Sequence, residues 1–232
     1  MSTVTYKRPD GKECSGYYAE PKGASNAPGL VVIQEWWGVN DHIKNVANHY
    51  AQQGFRALVP DLYRGKVGLD AKEAEHLMTG LNFGDAAGQD VRGAVQYLKQ
   101  SSPKVGVTGY CMGGALTILA ACFVPESDAA VAWYGFPPLE YVNAAAIKAP
   151  LMGHFGIHDG FFKIEVVDQL EEKLKAAGVN YKFYRYDAGH AFASDDPIIQ
   201  TIGLKKNEDA AHQAWQRTIQ FFEQQLGATQ PA

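Results

Sequence analysis

Cys111 is the residue whose setting in this chain most favours covalent chemistry. It stands at the centre of Gly109-Tyr110-Cys111-Met112-Gly113, followed by Gly114. An apolar run ending at Thr108 precedes the motif, and a helix-forming stretch follows it. G-x-C-x-G between a strand and a helix is the pattern of a nucleophile elbow, in which a strained turn points its central side chain outward. Glycines two places before and after that residue relieve clashes where backbone segments come close. The helix that follows offers free N–H groups and the positive end of its dipole. A thiol placed there gains thiolate character and becomes a nucleophile for acyl groups. The other reading of the same residues is a buried free cysteine, with glycines serving tight strand–helix packing.

A nucleophile needs a base, and the base needs a group to orient it. Downstream stand Asp159, in Gly156-Ile-His-Asp-Gly160, and His190, in Asp187-Ala-Gly-His-Ala-Phe192. Each follows an apolar or aromatic run. The order nucleophile, acid, histidine matches one of the known triad arrangements. His158 is a competing base, but its place beside Asp159 makes a thiol–base–acid line hard to build. Asp187 is a competing acid, three residues from His190. His154 and His158 are four apart across a strand end rather than on one helix face, so no metal pair is expected. His42, His49, His76 and His212 fall in helical or polar segments and are expected to be solvated. Cys14 and Cys122 lack an elbow. A second cluster, Gln34-Glu35-Trp36-Trp37-Gly38, also follows an apolar run. An oxyanion hole would take one N–H from Met112 and one from Trp36. Glu35, beside two tryptophans, is a candidate auxiliary acid. Trp37, Tyr63, Tyr134 and Phe136 are candidate walls of an apolar pocket.

These residues need a frame. Strands are expected at Val4–Lys7, Cys14–Ala19, Pro28–Ile33, Ala57–Pro60, Lys104–Thr108, Ala129–Trp133, Pro150–Gly156 and Tyr181–Tyr186. Helices are expected at Asp41–Gln53, Asp85–Ser101, Cys111–Cys122, Lys163–Ala177 and Asn207–Leu226. Strands alternating with helices give βαβ units and a mostly parallel central sheet with helices on both faces, in a single α/β domain spanning 1–226. The last residues, 227–232, read as a disordered tail. In such sheets ligands sit outside the carboxyl ends of the strands, so Cys111, Asp159 and His190 would share one rim.

Composition narrows the functional classes. The 232 residues are 46% hydrophobic and 20% charged, with a formal net charge of −4. That balance argues against a nucleic-acid surface or a polybasic membrane anchor. No run reaches the ~18 apolar residues of a membrane span. Three cysteines, an odd and small number, argue against a disulfide framework and for the reducing cytoplasm.

Six stretches together resemble the dienelactone hydrolases (carboxymethylenebutenolidases), of the α/β-hydrolase fold: QEWWGVN (34–40), LVPDLYRG (58–65), GYCMGG (109–114), YGFP (134–137), GIHDG (156–160) and YDAGHAF (186–192). The resemblance runs from about Tyr6 to about Leu226. It implies Cys111 as nucleophile, His190 as base and Asp159 as orienting acid, in a cofactor-free cytoplasmic hydrolase of small ester or lactone substrates, with no metal. It further implies that Glu35 contacts the resting thiol. Members acting on dienelactone carry an arginine where this chain has Ser194, so a neutral or differently shaped ester or lactone also fits. A general carboxylesterase, a thiol redox sensor using Cys111, and a lactone-binding module that does not turn its ligand over are the competing functions. Monomer and small homo-oligomer are both open.

Overall fold

The computed structural model describes residues 2–23 and 25–227; the proposed tail beyond Gly227 lies outside them. Eight strands form one sheet: β1 (Ser2–Lys7), β2 (Glu13–Ala19), β3 (Gly29–Ile33), β4 (Arg56–Pro60), β5 (Val105–Tyr110), β6 (Ala129–Trp133), β7 (Leu151–Gly156) and β8 (Tyr181–Tyr186). Their order is β1-β2-β4-β3-β5-β6-β7-β8. β2 runs antiparallel to β1 and β4, whereas β4 through β8 are mutually parallel. The parallel strands are apolar on both faces because both are covered. Along β3, Leu30 and Val32 join one core with Tyr50 and Phe222, while Val31 and Ile33 join another with Leu98 and Leu116. This period-two split assigns α1 (Asp41–Gln52) and α7 (Glu208–Leu226) to the first face. It assigns α4 (Arg92–Lys99) and α5 (Met112–Phe123) to the second. α6 (Ile164–Ala176) covers β7 through Val167, Leu170 and Leu174. α5 is apolar all round, as a helix wedged into a core must be; every residue from Met112 to Ala121 is buried.

Two helical segments differ from expectation. Helix α2 (Ala71–Thr79) lies in a region that carried no expected element; the Asp70 side chain caps it by accepting from Glu73 N at 2.8 Å. The helix expected at 85–101 is a short turn α3 (Phe83–Asp85), a π-helical stretch over Ala86–Val91, and then α4. The π-helical stretch carries Asp90, 2% exposed. Its carboxylate accepts from Arg8 Nη1 (3.0 Å), Arg64 Nη1 (2.9 Å) and Nη2 (3.0 Å), and Cys14 Sγ (3.3 Å). Tyr6 donates its hydroxyl to the Asp90 carbonyl at 2.9 Å. Arg8 also pairs with Asp10 and with Asp85. A buried carboxylate requires this pairing, and the pairing ties the β1–β2 hairpin to the helix layer. Burial and the neighbouring Asp90 push the Cys14 thiol up to about 11, so it stays protonated. No helix among the described residues is long and apolar enough to cross a membrane.

Candidate active site

β5, β7 and β8 end on one rim, and each delivers one of the three chemistry-bearing residues. Cys111 follows β5 directly, with φ 59 and ψ −116. That left-handed backbone is costly for a non-glycine residue and persists only where surroundings enforce it. Cys111 N donates to Trp133 O at 2.9 Å, and Gly114 N donates to Cys111 O at 2.8 Å, fixing the turn on both sides. The space is tight. A Cβ on Gly109 would fall 2.0 Å from Gly113 O, and one on Gly135 would fall 1.9 Å from Cys111 O. Gly135 was not singled out in the sequence, although it stands in the YGFP stretch.

Asp159 lies just beyond β7 and His190 just beyond β8. Asp159 Oδ1 accepts from the N–H groups of Phe161 and Phe162, both at 2.8 Å. Its Oδ2 lies 2.7 Å from His190 Nδ1. The backbone amides hold one carboxylate oxygen so that the other faces the imidazole. His190 Nε2 lies 3.1 Å from Cys111 Sγ. Asp159 and His190 are each only 6% exposed. Burial by itself would lower the His190 pKa. The Cys111 charge and the hydrogen bonds to Asp159 and Cys111 outweigh burial and push it up to about 10. The three groups thus form a continuous thiol–imidazole–carboxylate line.

The competing residues fall elsewhere. His158 and Asp187 pair with each other at 2.7 Å on the surface, with side chains 64% and 89% exposed. His154 is a core histidine: Nδ1 meets Tyr186 Oη at 2.9 Å and Nε2 meets Thr218 Oγ1 at 2.8 Å. His42, expected to be solvated, has a side chain only 11% exposed, and its Nε2 lies 3.4 Å from Glu35 Oε1. The first turn of α1 turns it inward, a contact that residue type and local pattern do not reveal.

A cavity of about 300 Å³ opens at the thiol. Glu35, Trp36, Trp37, Met112 and Phe136 line it with Cys111 and His190. Met112 begins α5, where the first amides have no partner within the helix, and Trp36 follows β3 on the same rim. Among the described residues no hydrogen bond joins Glu35 to the thiol, whose bond goes to His190. Tyr63 and Tyr134 were expected in the pocket wall and are not in it. Tyr63 is buried behind the elbow, its hydroxyl 3.4 Å from Met112 Sδ. Tyr134 is 1% exposed and packs edge-on against His190 and Phe192, with centroids 5.4 and 5.1 Å away. Both rings are buried in packing. Phe161 and Phe162, which sequence reasoning missed, sit over His190 at 5.0 and 5.4 Å and complete the wall. Their signal was available: they follow Asp159-Gly160 directly.

A mostly parallel sheet with a strained elbow after β5 and an apolar helix behind it is the architecture of the α/β hydrolases. Within that class the chain belongs to the dienelactone hydrolase family, whose model matches residues 14–226. It is 34% identical to protein usf of Aquifex pyrophilus over 94% of this chain and 96% of that one. It is 31% identical to a Salmonella typhimurium protein provisionally named a carboxymethylenebutenolidase, over 94% of this chain and 85% of that one. A crystal structure from Klebsiella pneumoniae, provisionally titled a dienelactone hydrolase, superimposes with a TM-score of 0.83 at 27% identity, covering 96% of this chain and 98% of that one. The chain is accordingly a hydrolase of ester or lactone bonds.

Proposed function

We propose that this chain hydrolyses activated esters and lactones through a thioester on Cys111. The observation that carries the reading is the unbroken line from Asp159 through His190 to the thiol, at 2.7 and 3.1 Å. His190 takes the thiol proton as Sγ adds to the substrate carbonyl. The tetrahedral oxyanion is held by the N–H groups of Met112 and Trp36, donors of a kind worth roughly 3–4 kcal/mol each. As the intermediate collapses, the C–O bond to the leaving group breaks and His190 returns its proton to that oxygen. Water then gives a proton to His190 and its oxygen to the thioester carbonyl. A second collapse releases the acid and restores the thiol. Asp159 keeps the imidazole oriented and stabilises its cationic form.

A thiolate leaves more readily than an alkoxide, so an unactivated alkyl ester would mostly revert after attack. Enol lactones and aryl esters do not suffer this. Small substrates of that kind match the cavity, and the reading calls for no cofactor or metal. The three free thiols support a reducing, cytoplasmic setting. Cys111→Ala should abolish hydrolysis of p-nitrophenyl esters. Intact-mass spectrometry of wild type quenched during turnover should show an acyl adduct on the Cys111 peptide. Turnover unchanged in C111A would overturn the mechanism.

A further inference from the structure

The wall around the thiol is aromatic and apolar on every side but one. Trp36, Phe136, Phe161 and Phe162 present rings to the cavity. No Lys or Arg is among the described residues that line it. Arginines near the lining residues in sequence are engaged elsewhere: Arg64 on Asp90 at 2.9 Å, Arg92 on Glu126 at 2.6 Å, and Arg185 on Asp168 at 2.6 Å. Glu35 supplies the one acidic group, 4% exposed. Its Oε1 is buried without a hydrogen bond and lies 3.4 Å from His42 Nε2. Asp195 and Asp196 also act on His42; Lys206 pairs with Asp195 at 2.6 Å, so with His42 protonated Glu35 and the two aspartates still outnumber the two cations. The thiol and imidazole exchange one proton between them and add no net charge.

An acyl group bearing its own carboxylate would therefore meet a buried acid and no lysine or arginine in the cavity wall, in surroundings where like charges repel far more strongly than in water. A flat neutral acyl group would meet only rings, with favourable offset or edge contacts. From this juxtaposition we infer that the pocket selects uncharged, planar acyl groups and that Glu35 is the residue that turns away anionic ones. The inference rests on the thioester reading above.

The test compares two p-nitrophenyl benzoates of matched shape, one carrying a 4-carbamoyl and the other a 4-carboxylate group, each rate corrected for its alkaline hydrolysis. Wild type should favour the carbamoyl ester in kcat/KM by on the order of tenfold or more. Glu35→Gln should shrink that ratio several-fold, whatever it does to the absolute rates. Equal or reversed preference in wild type overturns the inference. A ratio unchanged in E35Q overturns the assignment to Glu35. A second readout needs no variant: benzamide should slow iodoacetamide alkylation of Cys111 at concentrations where benzoate does not, and equal protection counts against the inference. Loss of the thioester reading would look different, as an absence of both aryl-ester turnover and acyl-Cys111, and the inference would fall with it.

Discussion

His190 links the Asp159 carboxylate to the Cys111 thiol, and its environment is a balance of opposing effects. Burial disfavours the imidazolium, yet the sulfur on one side and Asp159 on the other raise its pKa to about 10. A raised histidine pKa contributes stability that is complete below about 6.5 and is lost as pH rises through the folded value. The His190 ring resonances should accordingly titrate far above the ordinary histidine range in wild type. The midpoint should fall in Cys111→Ala and also in Asp159→Asn, the first removing the sulfur charge and the second the charged acceptor at Nδ1. NMR of ring-labelled protein reads this directly, and a midpoint near 6.5 in wild type would contradict the geometry. Much at this scale was legible in the chain. Cys111, Asp159 and His190 each sit in a glycine-marked turn, and glycine at a strand end is a local signal. What was not legible was the company of side chains held by distant elements. His42 turns in from α1, while Tyr63 and Tyr134 retreat into packing, and neither outcome is written in the nearest neighbours along the sequence.

At the scale of elements, the turns matter more than the strands. Strands β3 to β7 were readable because buried parallel strands carry continuous apolar runs, and β1 and β2 because they flank the turn residues Pro9-Asp10-Gly11; the ends match to within a few residues. The π-helical stretch was not, since its apolar spacing at Val91, Ala94, Val95 and Leu98 reads as an ordinary helix. In the turn after β6, Gly135 was also passed over, yet it lies against the elbow from the neighbouring strand. Gly135→Ala would drive a methyl group to 1.9 Å from the Cys111 carbonyl, against backbone that cannot swing aside. The elbow must then shift, and displacements of about 1 Å at a nucleophile cost on the order of 100-fold in rate. We expect kcat/KM on an aryl ester to fall by about that factor in G135A, with a lower melting temperature. Kinetics within twofold of wild type would show that the turn tolerates the methyl group.

At the scale of the whole molecule, two buried polar groups set how the fold responds to its surroundings. His154 joins β7 to β8 and α7 through Tyr186 and Thr218. Burial, with a smaller effect of Arg217, pulls its pKa down to about 3. The unfolded chain protonates this histidine near pH 6.5 while the folded chain does not, so stability declines as pH falls from about 6.5 toward 3. The loss attributable to this group is at most roughly 5 kcal/mol. Urea unfolding between pH 4 and 7 should show a shallower pH dependence in His154→Gln than in wild type, and parallel curves would exclude His154 as the source.

Asp90 sets a second dependence, and it reaches to the start of the chain. The stretch shared with the family opens at Cys14, so the amino-terminal strand looks like ornament that trimming could discard. Yet Arg8, on that ornament, supplies one of the two guanidinium groups that neutralise an anion sealed inside the protein. Cut away the first dozen residues and every shared motif survives, but Asp90 keeps only Arg64, whose side chain is 48% exposed, as its charged partner. The apparent appendage is a counterweight, sharing with Arg64 the neutralisation of a charge that lies within the family signature.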